Sequence, residues 1–273
     1  MKRMFALVCT LLMIAVCLVG CNQTGETTST SESQAEQSDL AYVLEKGKLV
    51  VGITDFKPMD YQKDNEWIGF DADMARKFAE FLGVKEVEFA EIEWECKATE
   101  LANKNIDCVW NGMTITDEVK AAMDCSNAYC NNAQVVVVNT SVADKYQTAD
   151  ACKDLKFAVE NGSAGMEQAD AYKYTYTAVL TQADALMEVA AGTADAAIID
   201  KLMAGAMIGK GTSYEQLTYT VDLNSEKYGI GFRKGSDLVA KINEFLEKSY
   251  TDGTTLEIAK KYGVQESIID PKA

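Results

Sequence analysis

The chain has 273 residues and a formal net charge of −16 at pH 7, from 42 acidic and 26 basic side chains. A surface this acidic repels nucleic acid and anionic lipid headgroups, so we exclude nucleic acid as a partner. The sequence has no histidine and no cysteine pair at CxxC spacing, and these residues are the usual ligands of zinc. We therefore expect no bound metal and no cofactor.

Residues 1–20 are typical of a secretory signal peptide. Lys2 and Arg3 precede an apolar run at 4–19 that only Thr10 interrupts. The run is short for a membrane-spanning helix, which needs about 20 apolar residues, although a single anchoring helix is the alternative.

The four residues at 18–21 (LVGC) resemble the bacterial lipobox. The resemblance implies that Cys21 is acylated and becomes the first mature residue, which anchors the chain by lipid alone at the outer face of the cytoplasmic membrane. Two or more acyl chains make such anchoring stable. Residues 21–40 are polar and nearly free of apolar side chains, so we predict a disordered tether with a reach of roughly 25 Å.

The remaining cysteines are odd in number, which implies at least one free thiol or an intermolecular bond. Cys108 continues an apolar strand pattern, so we expect a small buried side chain there. Cys125 and Cys130 are candidates for a disulfide. The sequence leaves the pairing open among Cys96, Cys108, Cys125, Cys130 and Cys152.

Strand and helix patterns alternate along the body that begins at residue 41. The first block has predicted strands at 49–53, 87–92 and 106–110, helices at 70–82 and 94–104, and a valine run at 134–138 that is long enough to cross between lobes. The pattern then restarts, with strands at 157–159, 177–180 and 196–199, a return crossover at 217–221, a strand at 228–232, and helices at 237–250 and 255–262. Two such blocks predict an α/β fold with two lobes on mostly parallel sheets, and a ligand cleft beyond the carboxyl ends of the strands.

Five segments, in this order, resemble the extracellular solute-binding proteins of family 3, the amino-acid type. They are 69–75 (GFDADMA), 112–118 (GMTITDE), 124–129 (DCSNAY), 229–234 (GIGFRK) and 252–263. The resemblance implies a two-lobed type II periplasmic-binding-protein fold with two hinge crossovers, with lobe 1 at 41–137 plus 225–273 and lobe 2 at 138–224. It also implies a monomer that binds a small polar solute, most simply an amino acid, and delivers it to the permease of an ABC transporter.

The resemblance further assigns ligand-binding residues in both lobes. Asp200 matches the aspartate that binds the ligand's ammonium, and the alternative is a helix N-cap. Phe56 matches the aromatic that stacks on the ligand, with Trp94 as a further wall; Trp110 is either another wall or part of the core. The other implied contacts are Asn111, Gly112 and Thr114 in lobe 1, and Gly162, Ser163 and Ala164 at a helix N-terminus in lobe 2.

Val119 departs from the family pattern. The family has an arginine there that clamps the ligand's carboxylate, and valine cannot do so. Lys97 and Lys57 are candidates to supply the missing charge, and the alternative for each is a solvated surface lysine. Two hypotheses follow: a lysine and the lobe-2 N–H groups hold the carboxylate of an amino acid, or the ligand is an amine, amide or quaternary ammonium without a carboxylate.

An enzyme is the rival function on the same fold. Some similar proteins are dehydratases of the cyclohexadienyl type, which need a placed general acid. No carboxylate pair stands out, and no GxSxG, HExxH or P-loop motif is present. We therefore predict a binding protein and not an enzyme, and a stand-alone sensor or adhesin remains a second alternative.

Overall fold

A computed structural model describes residues 38–272. The predicted signal peptide, Cys21 and most of the predicted tether lie outside the described residues. Within 38–272, no helix is long and apolar enough to cross a membrane. The helices are α1 (Asp39–Lys46), α2 (Phe70–Leu82), α3 (Lys97–Ala102), α4 (Asp117–Ala122), α5 (Ala164–Tyr172), α6 (Gln182–Ala191), α7 (Lys201–Met207), α8 (Leu238–Thr251) and α9 (Thr254–Tyr262).

The strands are β1 (Lys48–Ile53), β2 (Tyr61–Lys63), β3 (Glu66–Ile68), β4 (Glu86–Glu91), β5 (Cys108–Thr114), β6 (Asp124–Cys125), β7 (Cys130–Asn132), β8 (Gln134–Asn139), β9 (Lys156–Glu160), β10 (Thr175–Val179), β11 (Ala196–Asp200), β12 (Leu217–Asp222) and β13 (Glu226–Phe232). Apart from the β2–β3 hairpin, they form two sheets. The first has the order β4-β1-β5-β13-β6, with β7 also paired to β13, and the second has the order β10-β9-β11-β8-β12. In the first, β1 is parallel to β4 and β5; in the second, β9 is parallel to β10 and β11. The predicted two-lobed α/β architecture is confirmed.

The central strands of each sheet are buried because helices cover them. Helix α2 presents Phe70, Met74 and Phe78 at helical spacing, and all three are buried in the core of the first lobe. Phe78 contacts Phe245 of α8, with ring centroids 5.5 Å apart. Strands β5 and β11 are buried along nearly their whole length, as expected for parallel strands that are covered on both faces. Because β5 is parallel to β1 and β11 is parallel to β9, the carboxyl ends of each pair lie at the same edge of their sheet.

The folded body begins earlier than predicted. Residues 38–40 were assigned to the tether, but Ser38 is the N-cap of α1, and its Oγ accepts a hydrogen bond of 3.0 Å from the N–H of Ala41. Asp39 is buried. Serine and aspartate are frequent in disordered segments and are also good helix caps, so their composition alone did not separate the two structures.

Strand β8 lies within the second sheet, which corrects the predicted crossover at 134–138 and the lobe boundary at 137/138. It pairs with β11 from Gln134 to Val138, and β12, the predicted return crossover, pairs with β8. The chain thus leaves the first sheet after Asn132 and returns before Glu226. A valine run that is buried on both faces fits a crossover or a central strand equally well, and only its pairing separates the two.

The cysteines of the described residues are free thiols. Cys108 is buried, as predicted, and so are Cys130 and Cys152, while Cys96 and Cys125 are partly exposed. The Cys125–Cys130 disulfide that the sequence allowed is not formed.

Arg233 joins three segments at the edge of the first sheet. Its side chain is 11% exposed. Its Nε donates to both carboxylate oxygens of Asp39 at 3.0 Å, and its Nη1 donates to the carbonyl oxygens of Leu101 at 3.1 Å and Ile106 at 2.7 Å. One side chain reaches all of these acceptors because the guanidinium donors form a rigid planar fork. Helix α1 is thereby held against the sheet by a largely buried ion pair.

We expect Arg233→Lys to lower the free energy of unfolding by about 3 kcal/mol, because an ammonium leaves buried acceptors of Asp39 and of the two carbonyls unpaired. The neighbouring Lys234→Ala is the control. Lys234 pairs with Asp124 at the surface, with the two side chains 51% and 40% exposed, so its loss should cost less than about 1 kcal/mol. Urea denaturation followed by circular dichroism measures both changes, and equal losses in the two variants would contradict the prediction.

Candidate functional site

A cleft lies between the two lobes, where the carboxyl ends of β1, β5, β9 and β11 meet. The cavity within it is about 30 Å³, and the empty space is about 480 Å³ when the solvent-open mouth is included. All ten residues that the sequence assigned to ligand binding line this one cleft: Phe56, Trp94, Lys97, Asn111, Gly112, Thr114, Gly162, Ser163, Ala164 and Asp200. The topology brings them together because ligands in such folds lie beyond the carboxyl ends of the strands.

Asp200 ends β11 and is 5% exposed. Its Oδ1 accepts hydrogen bonds from Asn132 Nδ2 and from the Tyr228 hydroxyl, the latter at 2.6 Å, and its Oδ2 accepts from Gln182 Nε2 at 2.5 Å. Burial, and then the charge of Glu226, raise the pKa of Asp200 to about 7. Asp200 occupies the N-cap position of α7, but its side chain makes no capping hydrogen bond. The carboxylate lines the cleft with uncharged donors around it.

Glu160 is a second buried carboxylate in the cleft, and the sequence analysis did not single it out. It ends β9, the strand that pairs with β11, and is 4% exposed. Among the described residues, its carboxylate accepts one long hydrogen bond, 3.5 Å from Gln182 Nε2. Burial, and then the charge of Asp200, raise the pKa of Glu160 to about 8. The available sequence signal was its place at the end of an apolar strand, directly before the glycine loop.

Glu226, also missed in the sequence, begins β13 and connects the cleft to the crossovers. Its Oε1 accepts hydrogen bonds from Asn132 Nδ2 at 2.6 Å, Gln134 Nε2 at 2.8 Å and Thr114 Oγ1 at 2.9 Å. Asn132 donates to Asp200 as well. Thr114 therefore gives its hydroxyl proton to Glu226, which leaves only its oxygen lone pairs for a ligand. The hydrogen bonds of the site are continuous with the two segments that join the lobes.

Phe56 and Trp94 form the apolar walls of the cleft. Both are buried, and the Phe56 ring meets Tyr228 edge-on with centroids 6.5 Å apart. Gly112, with φ of +57°, lies against Phe56, since a Cβ at Gly112 would stand 2.3 Å from Phe56 Cε1. A side chain at position 112 would displace the Phe56 ring.

Trp110 and Asn111 are adjacent in β5 but lie in different surroundings. Trp110 is 1% exposed and packs in the core of the first lobe, so it is core and not a wall. Asn111 exchanges two hydrogen bonds with Thr54: its Nδ2 donates to Thr54 Oγ1 at 2.7 Å, and its Oδ1 accepts from the Thr54 N–H at 3.1 Å. Gly112 donates its N–H to Asp71 Oδ2 at 2.7 Å. Asn111 and Gly112 thus shape the wall mainly through bonds within the protein.

Helix α5 begins at the cleft with Ser163 as its N-cap. The Ser163 Oγ accepts a hydrogen bond from the Met166 N–H at 3.2 Å, and the Ser163 carbonyl accepts one from the Glu167 N–H at 3.2 Å. The preceding N–H groups, those of Ala164 and Gly165, remain for a ligand. A helix N-terminus favours a negative group at this place.

Lys97 is the one ammonium that lines the cleft among the described residues. Its Nζ donates to the carbonyl oxygens of Gly162 at 2.9 Å and Trp94 at 3.2 Å, and burial lowers the pKa of Lys97. The alternative of a solvated surface lysine is therefore wrong for Lys97. Lys57 is exposed and lies over the Tyr61 ring, outside the cleft lining. Val119 lines the cleft as an apolar side chain.

The two lobes touch at the mouth of the cleft. Besides the Lys97–Gly162 hydrogen bond, Asn161 Nδ2 donates to Glu95 Oε2. Gly162 has φ of +68°, and a Cβ there would lie 2.9 Å from the backbone Cα of Glu95. The close approach of the lobes thus depends on a glycine at position 162.

Carboxylates lie in the cleft together with an ammonium and free N–H groups, so the arrangement is complementary to a solute that carries both positive and negative groups. Each of these groups is costly to bury unless a partner of opposite charge or a hydrogen bond offsets it. Within 38–272, no group of three or more Cys, Asp or Glu side chains is placed to hold a metal ion.

Comparison with known proteins gives consistent matches. The bacterial extracellular solute-binding proteins, family 3, match residues 49–265. The arginine-binding extracellular protein ArtP of Bacillus subtilis (strain 168) is 28% identical over 263 residues, which cover 92% of this chain and 96% of ArtP. The L-cystine-binding protein TcyJ of Escherichia coli (strain K12) is 29% identical over 242 residues, which cover 85% of this chain and 88% of TcyJ.

Two solved structures show the same architecture. The arginine-, lysine-, histidine-binding protein ArtJ from Geobacillus stearothermophilus superposes with a TM-score of 0.73 at 30% identity and covers 79% of this chain and 94% of ArtJ. The ancestral amino acid-binding protein AncCDT-1, a precursor of cyclohexadienyl dehydratase, gives a TM-score of 0.75 at 30% identity, with 82% and 99% covered. The family match spans most of the chain, and the fold is the two-lobed type II periplasmic-binding-protein fold. The chain therefore belongs to the bacterial extracellular solute-binding proteins of family 3.

Proposed function

We propose that this protein is the extracytoplasmic solute-binding component of an ABC importer, and that it binds an amino acid between its lobes and delivers it to the permease. The observation that carries this proposal is the pairing of two features on lobe 2. The buried Asp200 carboxylate lacks a cationic partner among the described residues, and the N-terminus of α5 offers the N–H groups of Ala164 and Gly165. An α-ammonium on the first and an α-carboxylate on the second would satisfy both.

The relatives support the amino-acid assignment without fixing which amino acid is bound. Their names include arginine-, glutamine-, cystine- and histidine-binding proteins. We further propose that Cys21 carries the lipid anchor after removal of residues 1–20, that the segment before Ser38 is the tether, and that the protein acts as a monomer. The crossovers at residue 133 and at 223–225 are the proposed hinges, and solute binding selects the closed arrangement of the lobes.

Catalysis is the rival class, because one structural neighbour is a precursor of a dehydratase. The relatives ArtP, GlnH and TcyJ are named as binding proteins. We propose the same role for this chain. Incubation of the pure protein with prephenate or arogenate tests this, since turnover above the spontaneous rate would reverse the assignment.

We expect at least one L-amino acid to raise the melting temperature in a thermal-shift screen that also contains putrescine and glycine betaine. Asp200→Asn should weaken binding of that amino acid by at least about 100-fold in calorimetry, because the ammonium loses its charged partner in a dry site. Asp150→Asn is the control, since Asp150 pairs with Lys153 on the exposed surface of lobe 2. A shift with putrescine or betaine and with no amino acid would instead support a ligand that has no carboxylate.

We expect Lys97→Met to weaken amino-acid binding by about 10- to 100-fold, because Lys97 supplies the charge that the family arginine provides and Val119 cannot. Lys57→Met, on the exposed neighbour of Phe56, should leave the affinity within about twofold. Calorimetry with the amino acid found in the screen measures both. If Lys57→Met were the damaging change, the carboxylate would have to be held from the other side of the cleft.

Gly162→Ala tests closure. Its Cβ would meet the Glu95 backbone at 2.9 Å, so the lobes should fail to close fully and the solute affinity should fall by at least about tenfold. Gly192→Ala, also in lobe 2 and also at positive φ (+75°), has no atom within 4 Å of its added Cβ and serves as the strain-matched control. Small-angle scattering should show the solute shrinking the wild type and Gly192→Ala but not Gly162→Ala; the same shrinkage in all three would contradict this account of closure.

A further inference from the structure

Glu160 is a buried acidic side chain of the cleft that the protein itself leaves poorly paired. It is 4% exposed, and it lines the cleft beside Asp200. Within the described chain its carboxylate accepts only the 3.5 Å hydrogen bond from Gln182 Nε2, which is at the limit of a useful distance. A buried carboxylate in this condition is costly unless it is protonated or a ligand supplies donors.

The neighbours of Glu160 have their donors committed elsewhere. Gln182 Nε2 donates to Asp200 Oδ2 at the much shorter distance of 2.5 Å, and Gln182 Oε1 accepts from the Asp200 N–H at 2.9 Å. Ser163 Oγ donates to the main-chain carbonyl of Glu160 at 2.8 Å and not to its carboxylate. Lys97 Nζ donates to two carbonyl oxygens, those of Gly162 and Trp94. Among the described residues, no side chain therefore gives the Glu160 carboxylate a short hydrogen bond, and a solute with a cationic group or a donor could do so.

The charges that line the cleft lead to the same conclusion. Four carboxylates, those of Asp55, Glu160, Glu167 and Asp200, face one ammonium, that of Lys97. A zwitterionic amino acid brings one positive and one negative group, so it leaves this imbalance unchanged. Asp55 is exposed at the rim and Glu167 is partly exposed, so solvent can screen them. Glu160 is more deeply buried than these two, at 4% exposed, so solvent screens it less, and a second positive group on the ligand would pair it.

We propose that Glu160 determines specificity by pairing with a cationic side chain, and that the solute is a basic amino acid. The proposal rests on the proposed function, because it places the α-ammonium on Asp200 and assigns Glu160 to the other end of the same ligand. Strands β9 and β11 are adjacent, and Gln182 Nε2 donates to both carboxylates, so the two lie close enough for one ligand to reach both. A guanidinium suits such a site because it presents several donors in a fixed fork.

The same geometry couples binding to protonation. The groups that act most strongly on Glu160 are Asp200 at the end of β11, Lys97 at the start of α3, and Gln182 and Asp184 in α6. Burial and Asp200 raise the pKa of Glu160 to about 8, and Asp200 has a pKa of about 7. A cationic side chain binds the ionised carboxylate. Below pH 8 it must therefore displace a proton from Glu160, and its affinity should fall as the pH drops, by up to about tenfold per pH unit.

The decisive comparison is L-arginine against L-citrulline, which has nearly the same shape but an uncharged side chain. In calorimetry at pH 8, the wild type should prefer arginine by at least about tenfold, and Glu160→Gln should reduce the preference to less than about threefold. Asp150→Asn, on the exposed surface of lobe 2 and outside the cleft, should keep the wild-type preference. Two results would overturn the proposal: a wild type that prefers citrulline, or a Glu160→Gln variant that keeps the wild-type preference for arginine.

The number of protons released on ligand binding is a second test, because a purely structural role of Glu160 would not change it. At pH 6.5, calorimetry in buffers of different ionisation enthalpy should show that arginine releases about one proton more than citrulline on binding to the wild type, and that Glu160→Gln abolishes the difference. Equal proton release for both ligands in the wild type would contradict the pairing. This measurement also decides the question if Glu160→Gln does not fold.

The possible failures are distinguishable. If the wild type binds neutral amino acids and no basic one, the role of Glu160 is refuted while the proposed function stands. If Glu160→Gln weakens arginine and citrulline equally, Glu160 contacts the shared α-ammonium and the specificity proposal is again refuted. If no amino acid binds at all, the proposed function itself fails.

Discussion

The structure depends on one electrostatic constraint: lobe 2 buries the carboxylates of Asp200 and Glu160 next to each other without a cation of its own between them. Each is about 5% exposed or less, and each has a raised pKa for that reason. Like charges at close range cannot both ionise cheaply in a dry site. The empty cleft therefore favours protonated forms, and a positively charged solute favours the ionised forms. This difference between the empty and the filled cleft is what a binding protein needs to select its ligand and to respond to it.

The sheet topology brings the two carboxylates together, and the hydrogen bonds beyond them extend to the proposed hinges. Asp200 and Glu160 end neighbouring parallel strands, so they meet at one edge of the sheet. Asn132, the last residue before the outgoing crossover, donates to both Asp200 and Glu226, and Glu226 is the first residue of the strand after the return crossover. A change in the charge on Asp200 therefore acts directly on groups that flank both crossovers. Solute binding and lobe closure share one set of hydrogen bonds, which is a physical basis for their coupling.

The sequence predicted most of the larger elements and ten of the residues that line the cleft. It failed where the answer depends on pairing in three dimensions. The apolar pattern predicted the positions of α2 and β11 correctly. A helix buried along one face and a strand buried on both faces each leave a recognisable pattern of apolar residues in the sequence. The run at 134–138 fits a crossover as well as a strand, so the lobe boundary was misplaced. Glu226 and Asn132 had no signal, because each acts through a partner roughly 70 or more positions away in sequence. The role of Glu160 was hidden because an acidic residue that follows a strand is usually solvated, and burial became evident only from the fold.

The valine at position 119 changes which end of the ligand carries the selectivity. A carboxylate clamp contacts a group that every amino acid has, so it adds affinity without discriminating among side chains. With Val119 in that place, the proposed binding mode leaves the carboxylate to Lys97 and the N–H groups of α5, and Lys97 is shared with two protein carbonyls. In the proposed binding mode Glu160, by contrast, acts on the part of the ligand that differs between amino acids. A buried, poorly paired carboxylate penalises every ligand that fails to supply a donor. Weakening the common contact while keeping the discriminating one raises the fraction of the binding energy that depends on the side chain. The loss of the arginine is thus consistent with a narrower specificity and not with a defective site.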